Sequence, residues 1–281
     1  MDSGFMRLVI THGHIFKNAG TTFDWALQRY FGAAFCDHRD DRPMRQRGVE
    51  YLQEFLVDNP EVKAISSHHM CDTSGLQGMQ SMPVFFLRHP LLRVLSVYSF
   101  ERKQKSDTPG AEAAKKYDLK DYIKWRMEPE VGRTIRDYQV AYLASECKIR
   151  NSQIIGIKHL AAAAKRLNDG SLVGLVEDFD RSMALIELEL GKYFPSFDLS
   201  YVRQNTTRSL KAEQRSINYL AEEIGDEVFD LLVENNSFDL ALYRMAKESL
   251  SQRIAKIEDF AVRFEDYRSR CEQLSLGKRR A

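Results

Sequence analysis

The sequence predicts an α/β protein built on a parallel β-sheet with helices on both faces. Short apolar segments alternate along the chain with helical patterns, and this alternation is typical of parallel sheets. The run Val84-Phe85-Phe86-Leu87 is apolar without interruption, as expected for a strand that is buried on both faces. The predicted strands are Leu8–Ile10, Val62–Ser67, Val84–Arg88 and Leu172–Val176.

The composition fits one large domain, or one domain with an appendage. The chain has 281 residues, 43% of them hydrophobic, and a formal net charge of +1. A charge so close to neutral gives no global field that would attract nucleic acid or a membrane surface. No apolar stretch approaches the roughly 18 residues of a membrane span, and the start of the chain lacks a signal-peptide pattern.

The four cysteines are far apart and form neither a Cys-x-x-Cys pair nor a zinc-binding spacing. Together with the missing signal peptide, this predicts buried, reduced thiols and a reducing, cytoplasmic compartment. The cysteines are Cys36, Cys71, Cys147 and Cys271.

Helical spacing of apolar residues predicts the remaining elements. Thr21–Tyr30 is expected to form a helix that ends at Gly32, and Pro90 to open a helix after the third strand. Asp37–Gln46 and Ser106–Lys116 are dense in charged or small residues, and we expect loops there, the second one mobile. The other predicted helices are Arg45–Asp58, Leu119–Met127, Ile135–Cys147, Leu160–Asn168, Phe179–Leu190 and residues 211–247.

The C-terminal residues carry an apolar seam at heptad spacing. This pattern divides the chain into a domain of residues 1–248 and an amphipathic helix of residues 249–281. Packing of that helix on its own domain is one interpretation, and a coiled-coil contact that makes a homo-oligomer is the alternative. The seam consists of Leu250, Ile254, Ile257, Ala261, Phe264 and Cys271, and Arg268 interrupts it.

A possible anion site follows the first predicted strand. The loop contains Lys17 and Gly20, and a helix begins near Thr21. Backbone N–H groups at the start of a helix favour a bound anion, and the lysine adds a positive charge. The N–H groups expected to face that anion are those of Ala19, Gly20, Thr21 and Thr22.

The loop differs from the Walker loop of nucleoside-triphosphate-binding proteins. A Walker loop has a lysine followed by Ser or Thr directly after its last glycine, and that hydroxyl binds Mg²⁺. Here Lys17 precedes Gly20, and Asn18 follows the lysine. The sequence thus predicts a phosphate-like ligand without the usual metal contact.

Other polar residues follow the second and third predicted strands. His68 and His69 come after one strand, and Arg88 ends the next. Because the carboxyl ends of parallel strands meet at one edge of the sheet, we expect these side chains to lie near Lys17. This convergence predicts a functional site.

Four stretches resemble, in the same order along the chain, segments of the sulfotransferases that use 3′-phosphoadenosine 5′-phosphosulfate (PAPS). The resemblance is to the carbohydrate O-sulfotransferase branch, which includes the heparan sulfate 2-O type and its bacterial relatives. Ile15–Thr22 resembles the 5′-phosphosulfate loop, and Phe86–Tyr98 resembles the 3′-phosphate segment. Val173–Asp180 and Asn235–Tyr243 resemble two later segments of that branch. Phe16, Asn18 and His89 depart from the usual Pro, Thr and Asp.

The resemblance implies a P-loop NTPase-like fold and transfer of a sulfuryl group from PAPS to an acceptor hydroxyl, on a carbohydrate or a small molecule, without a metal. Lys17, Arg88 and Ser96 are the donor-binding side chains that it implies, and Lys17 also suits stabilisation of the leaving phosphate oxygen. The rest of the implied donor site is Asn18, Ala19, Gly20, Thr21 and Thr22.

A histidine after the second strand is implied as the base, since imidazole titrates near neutral pH. Ser67-His68 resembles the Gly-His that ends this strand in the family, which selects His68 and leaves His69 as the alternative. Because adjacent strand residues point to opposite faces, we expect only one of the two to face the site. His12 and His14 flank the loop, Arg93 is either structural or an acceptor contact, and the polar segment Arg203–Arg208 follows the fourth strand. A P-loop kinase-like phosphotransferase and a non-catalytic nucleotide-binding assembly protein are the competing functions.

Overall fold

A computed structural model describes residues 6–38, 41–70, 72–144, 154–204 and 216–280 of the chain. Its five strands form one parallel sheet in the order β2-β3-β1-β4-β5. The strands are β1 (Arg7–Gly13), β2 (Phe35–Asp37), β3 (Ala64–Ser67), β4 (Met79–Leu87) and β5 (Leu172–Leu175). The predicted α/β class and parallel sheet are therefore confirmed.

Helices connect and flank the strands. Those before β5 are α1 (Gly20–Phe31), α2 (Asp41–Arg47), α3 (Val49–Asp58), α4 (Pro90–Lys103), α5 (Pro109–Lys116), α6 (Leu119–Met127), α7 (Tyr138–Ala144) and α8 (Ile157–Asn168). Those after β5 are α9 (Phe179–Gly191), α10 (Ile217–Ile224), α11 (Asp226–Glu234), α12 (Ser237–Ala255) and α13 (Phe260–Arg280).

The sheet buries both of its faces. Val9 and Ile10 are neighbours on β1, so their side chains point to opposite faces. Val9 packs with Leu52 and Leu56 of α3, whereas Ile10 lies in the larger cluster with residues of α1 and α9. A third cluster joins α4, α5, α6, α10 and α11. This double cover explains the uninterrupted apolar run in β4.

Two segments expected to be loops are partly helical. Within Asp37–Gln46, Asp37 ends β2 and the helix α2 begins at Asp41. Within Ser106–Lys116, α5 begins at Pro109, and the Thr108 hydroxyl accepts a hydrogen bond from the Ala111 N–H at 3.4 Å. The small residues of α5 are buried because they pack closely on the neighbouring helices.

Other predicted boundaries shift where the backbone breaks. Gly48 has φ of 58° and separates α2 from α3 within the single helix expected over Arg45–Asp58. Gly225 has φ of 76° and separates α10 from α11. A left-handed backbone at these positions is accessible to glycine without steric cost. Strand β4 is longer than predicted and begins at Met79.

The C-terminal seam does not run along one helix. Helix α12 ends at Ala255 and α13 begins at Phe260, so the predicted heptad pattern crosses a break. Ala261 of the seam is exposed, whereas Tyr267, which lies off the seam, is 1% exposed and belongs to the main core. Of the described helices, none is both long and apolar enough to cross a membrane.

Two of the four cysteines lie in the described residues. Cys36 and Cys271 are free thiols and half-buried. Cys71, Cys147 and the part of the predicted polar segment from Asn205 to Arg208 lie outside the described residues, as do residues 211–215 of the predicted helical stretch 211–247.

Candidate functional site

The carboxyl ends of β1, β3 and β4 lie side by side, at the point where the connections from β1 and from β4 run in opposite directions along the sheet. Gly13 at the end of β1 pairs with Ser67 of β3 and with Phe85 of β4. The chain leaves β1 toward β2 on one side of the sheet and leaves β4 toward β5 on the other. Such a divergence opens a crevice at the carboxyl ends of the two strands, which is where open α/β sheets bind ligands.

The loop between β1 and α1 lies at this crevice and has a strained backbone. Lys17 and Ala19 have φ of 65° and 60°, in the left-handed region that non-glycine residues rarely adopt. Each such residue costs on the order of 1–3 kcal/mol, and the surrounding structure must hold it. The Asn18 N–H donates to the Ile15 carbonyl oxygen, and the Thr22 N–H donates to that of Ala19. The N–H of Thr22 thus has a partner within the protein, contrary to expectation.

Asn18 anchors the loop from inside. Its side chain is 1% exposed. The Asn18 Nδ2 donates to the Phe86 carbonyl oxygen and to Gln139 Oε1, both at 2.7 Å. This places the Asn18 side chain against the protein rather than toward the crevice.

The ring of His14 leaves no room for a side chain at residue 20. A Cβ added at Gly20 would lie 2.4 Å from a carbon of that ring. This is closer than side-chain atoms approach one another, so residue 20 needs to lack a side chain. Gly20 of the predicted anion site is therefore in close contact with an imidazole.

The Lys17 ammonium is half-buried in a positively charged environment. Its Nζ lies 4.4 Å from the centre of the Phe100 ring. Burial, followed by the charges of Arg88, Arg93 and Lys103, lowers the pKa of Lys17 to about 8. A bound anion would offset this repulsion, so the cations favour anion binding at this point.

Arg88 joins the end of β4 to the Lys17 loop. The Arg88 guanidinium donates to the Lys17 carbonyl oxygen at 3.2 Å, and its Nε lies 3.9 Å from Glu177 Oε1. Glu177 also accepts from the His89 N–H at 3.0 Å and from the Tyr243 hydroxyl at 2.9 Å. The predicted proximity of Arg88 and Lys17 is present in the structure.

Gln139 of α7 is a connecting residue that the sequence did not reveal. Its Oε1 accepts from the Arg88 N–H at 2.9 Å and from Asn18, and its Nε2 donates to the Arg88 carbonyl oxygen at 2.9 Å. Gln139 is 1% exposed. One amide side chain thus ties the loop to the end of β4.

His68 lies beside the loop, on the β3 side. Its Nδ1 is 2.8 Å from the His14 carbonyl oxygen, and the centres of the two rings are 4.3 Å apart. Because a carbonyl oxygen can only accept, Nδ1 carries the hydrogen and Nε2 carries the lone pair of the neutral ring. The neighbouring His69 donates its N–H to Ser67 Oγ at 3.1 Å.

Arg93 supports the loop from beneath and is only 2% exposed. Its Nε donates to the Phe16 carbonyl oxygen at 3.0 Å and a terminal nitrogen donates to that of Thr134 at 2.6 Å. Its guanidinium carbon lies 4.2 Å from the centre of the Tyr138 ring. Of the two roles that the sequence left open, these contacts make Arg93 structural.

The remaining residues of the predicted donor site, Ser96, Thr21 and Thr22, differ in how far they are exposed. Ser96 lies in the second turn of α4 and is 8% exposed. Thr21 is exposed, whereas Thr22 is buried and its hydroxyl accepts from the Gln204 N–H at 3.4 Å. Through this bond, the described part of the segment Arg203–Arg208 contacts the first turn of α1.

A buried cluster of His12, His14 and Asp24 lies behind the loop. The Asp24 carboxylate is 2.7 Å from His12 Nδ1 and 2.8 Å from His14 Nδ1. The three groups are close enough together to be considered as metal ligands. However, His12 Nδ1 and Asp24 Oδ1 are in direct hydrogen-bond contact, and His14 Nδ1 lies at ion-pair distance from the other carboxylate oxygen. The sequence placed the two histidines beside the loop but gave no sign of Asp24.

Two large clefts lie away from this crevice. One of about 770 Å³ adjoins the start of β4 and Arg253, and another of about 860 Å³ lies between Tyr201 and α13. Neither is lined by Lys17, His68 or Arg88. Strand-end placement and positive charge therefore define the candidate site better than cleft size does.

No protein-family model matches the chain. The chain is similar to an uncharacterized protein of the archaeon Archaeoglobus fulgidus, with 29% identity over 245 residues. The matched part covers 84% of this chain and 95% of the archaeal protein. The similarity thus extends over nearly the whole of the archaeal chain.

Proposed function

We propose that the protein is a PAPS-dependent O-sulfotransferase with a P-loop-like donor site at the ends of β1 and β4. The observation that carries the proposal is the convergence of Lys17, Arg88 and His68 from three strands. The Arg88 guanidinium and the Lys17 carbonyl oxygen are in direct contact, and His68 contacts the same loop through His14. These are the residues that the sequence resemblance implies for donor binding and for the base.

The charges fit a donor that is phosphorylated at both ends. The Lys17 ammonium and the first turn of α1 would hold the 5′-phosphosulfate. Arg88 would bind the 3′-phosphate, since a guanidinium can form two parallel hydrogen bonds with a phosphate. Its pairing with Glu177 at 3.9 Å is long, so a phosphate would compete effectively with that carboxylate.

The proposed reaction is an in-line transfer of the sulfuryl group. His68 Nε2 takes the proton of the acceptor hydroxyl, and the hydroxyl oxygen attacks the sulfur. The bond between sulfur and the bridging phosphate oxygen breaks, and adenosine 3′,5′-bisphosphate leaves. The Lys17 ammonium stabilises the negative charge that develops on that bridging oxygen. The acceptor is a hydroxyl compound, and we propose a carbohydrate.

Calorimetric titration with adenosine 3′,5′-bisphosphate tests the donor site. We expect binding that EDTA does not change and that Lys17→Ala and Arg88→Ala each weaken by roughly ten- to a hundredfold, since each removes a charged contact. Arg263→Ala is the matched control, because Arg263 is on the surface of α13 and pairs with Asp259.

Two outcomes would overturn the proposal. Binding of ATP with Mg²⁺ and not of the bisphosphate would favour a kinase-like phosphotransferase. Bisphosphate binding without sulfuryl transfer from PAPS to any of a panel of mono- and oligosaccharides and small alcohols would favour a non-catalytic nucleotide-binding protein.

A further inference from the structure

Asp24 lies on the inward face of α1, between two imidazole rings. It is 5% exposed, and His12 and His14 are 1% and 7% exposed. His12 Nδ1 is also 3.0 Å from Ser66 Oγ of β3. The carboxylate is thus enclosed by β1, α1 and β3 and has no function in the reaction described above.

The carboxylate is charged. Burial alone would raise the pKa of Asp24, but the neighbouring His12 and His14 outweigh this effect and lower that pKa well below its usual range. An ionised carboxylate can only accept hydrogen bonds. His12 Nδ1, which is hydrogen-bonded to Asp24 Oδ1, therefore carries hydrogen. His14 Nδ1 faces the other carboxylate oxygen at 2.8 Å, and this contact restricts the orientation of the His14 ring.

His14 links Asp24 to His68. The edge of the His14 ring near Nε2 lies against Gly20, its Nδ1 faces Asp24, and its own backbone carbonyl accepts the hydrogen of His68 Nδ1. The rings of His14 and His68 are also in contact, with centres 4.3 Å apart. A shift of the His14 ring would therefore displace the ring face that contacts His68, and any movement that this shift passes to the His14 main chain would also displace the carbonyl oxygen that accepts from His68.

We propose that Asp24 is a positioning residue, which fixes His14 so that His14 holds His68 with the lone pair on Nε2. This inference rests on the proposed function, because it concerns the base of that reaction. The arrangement resembles in principle a catalytic carboxylate that orients a histidine base, but it acts here through a second histidine and its backbone. Asp24 itself contacts neither reactant.

The first test is the ¹⁵N NMR spectrum of the histidine rings in the wild-type protein and in Asp24→Asn. We expect neutral His68 to carry hydrogen on Nδ1 in the wild type and to become a mixture of the two tautomers in the variant. A wild-type His68 with hydrogen on Nε2 would overturn the proposal, as would a variant in which the spectrum of His68 is unchanged.

The second test compares turnover with donor binding. Asp24→Asn should lower kcat by roughly ten- to a hundredfold, less than the ~10⁴-fold loss seen when a carboxylate bound directly to the base is changed. The Kd for adenosine 3′,5′-bisphosphate should stay within about twofold, because Lys17 and Arg88 remain. The acid limb of the kcat–pH profile should also shift.

Asp230→Asn is the matched control, because Asp230 is exposed on α11. Parallel losses of kcat and bisphosphate affinity in Asp24→Asn would show a merely structural role and overturn the proposal. Stoichiometric zinc or manganese that copurifies with the wild type and is lost from Asp24→Asn would overturn it as well, because the cluster would then be a metal centre.

A further variant covers the event that Asp24→Asn does not fold. His14→Asn removes the ring that Asp24 holds and leaves Asp24 with His12, and we expect the same change at His68. If the wild type neither binds the bisphosphate nor transfers a sulfuryl group, the proposed function fails, whereas the NMR spectra still decide whether Asp24 positions His68.

Discussion

At the scale of single residues, Lys17 has the environment of an anion-binding group. Its pKa is lowered to about 8 by burial and by Arg88, Arg93 and Lys103. The folded protein therefore loses part of this positive charge within the pH range in which enzymes are commonly assayed. A phosphate has lost its second proton well above its second pKa near 6. Of the lysine and the phosphate, only the lysine therefore changes its charge substantially between pH 7 and 9.

Bisphosphate affinity should accordingly fall with rising pH. Between pH 7 and 9 we expect the Kd of the wild type to rise by up to about tenfold, because a group loses a factor of ten in its protonated fraction for each pH unit above its pKa. Lys17→Arg should remove this dependence, since arginine stays charged. Calorimetric titrations at four pH values measure the effect, with Lys115→Arg as a surface control. An equally steep dependence in Lys17→Arg would contradict the assignment.

His68 should act in turnover and not in donor binding. We expect His68→Ala to lower kcat by about 10²- to 10⁴-fold, the usual contribution of a general base, with a nearly unchanged Kd for the bisphosphate. His69→Ala, which changes the adjacent histidine, should alter kcat by less than about threefold. Steady-state kinetics with PAPS measure both variants. The reverse pattern would assign the base to His69.

The sequence pointed to Lys17, Arg88 and the pair His68 and His69 because they follow predicted strands, and parallel strands end together. The family resemblance then selected His68 of the pair. The sequence did not point to Gln139 or Asp24. Both are polar residues within helical patterns, and a single sequence does not distinguish a buried polar residue from an exposed one. Their roles arise from tertiary hydrogen bonds, which join positions as distant as Asn18 and Gln139.

At the scale of secondary-structure elements, two helices that hold the site cap each other. Asp137 precedes α7 and accepts from the Asp239 N–H of α12 at 2.8 Å. Asp239 in turn accepts from the Val140 N–H at 2.7 Å and the Gln139 N–H at 3.0 Å. Each carboxyl group therefore satisfies N–H groups at the start of the other helix. This pairing fixes Gln139 beside Arg88.

The paired carboxyl groups should make stability depend on pH. Burial, together with the charge of Asp239, raises the pKa of Asp137 to about 7. Between about pH 4 and 7, the folded state therefore keeps a proton on Asp137 that the unfolded state has already released. The contribution of Asp137 to the free energy of unfolding falls as pH rises through that range and stays constant above it.

Asp137→Asn should reduce this dependence, because the asparagine oxygen still accepts the N–H bonds but does not ionise. Relative to the wild type, we expect the variant to gain on the order of 2 kcal/mol between pH 5 and 8. Urea unfolding at each pH measures the difference. Asp118→Asn changes an exposed aspartate that caps α6 and serves as control. A constant difference between the wild type and Asp137→Asn would contradict this assignment.

The sequence predicts helices with apolar residues at regular spacing better than helices rich in arginine, glycine or other small residues. Leu119–Met127 was predicted with the bounds that α6 has. By contrast, α2 is rich in arginine, and α5 contains proline, glycine and small residues. Their helical state depends on packing against neighbouring helices, and for α5 also on the Thr108 cap, which outweigh the local preference for loops.

At the scale of the whole molecule, the C-terminal helix takes part in the main core. Tyr267 and Phe260 of α13 belong to the same buried cluster as the strands β1, β4 and β5. Tyr267 also donates its hydroxyl hydrogen to the Leu199 carbonyl oxygen at 3.1 Å. These contacts favour packing of the helix on its own chain over the coiled-coil interpretation, although they leave room on its exposed face for a second copy.

Tyr267→Ala should therefore destabilise the protein by roughly 3–5 kcal/mol, the usual loss when a large buried aromatic side chain is removed. Because α13 shares the core, unfolding should remain a single transition with a lower midpoint. Tyr193→Ala is the matched control, since Tyr193 is 52% exposed, and should cost less than about 0.5 kcal/mol. Chemical unfolding followed by fluorescence and circular dichroism measures both. Loss of α13 alone, with the rest unchanged, would contradict this prediction.

The order of the strands has a consequence for how a ribosome produces this protein. Strand β1 leaves the exit tunnel before its two neighbours, which begin at Ala64 and Met79. Until both have emerged, the apolar β1 has unpaired backbone groups along at least one edge, a state that is prone to aggregation. The Lys17 loop is thus synthesised before the residues that hold it, and it acquires its fixed shape only after Arg88 and Gln139 have been added. A nascent chain stalled before residue 139 would present the lysine loop without the amide that secures it.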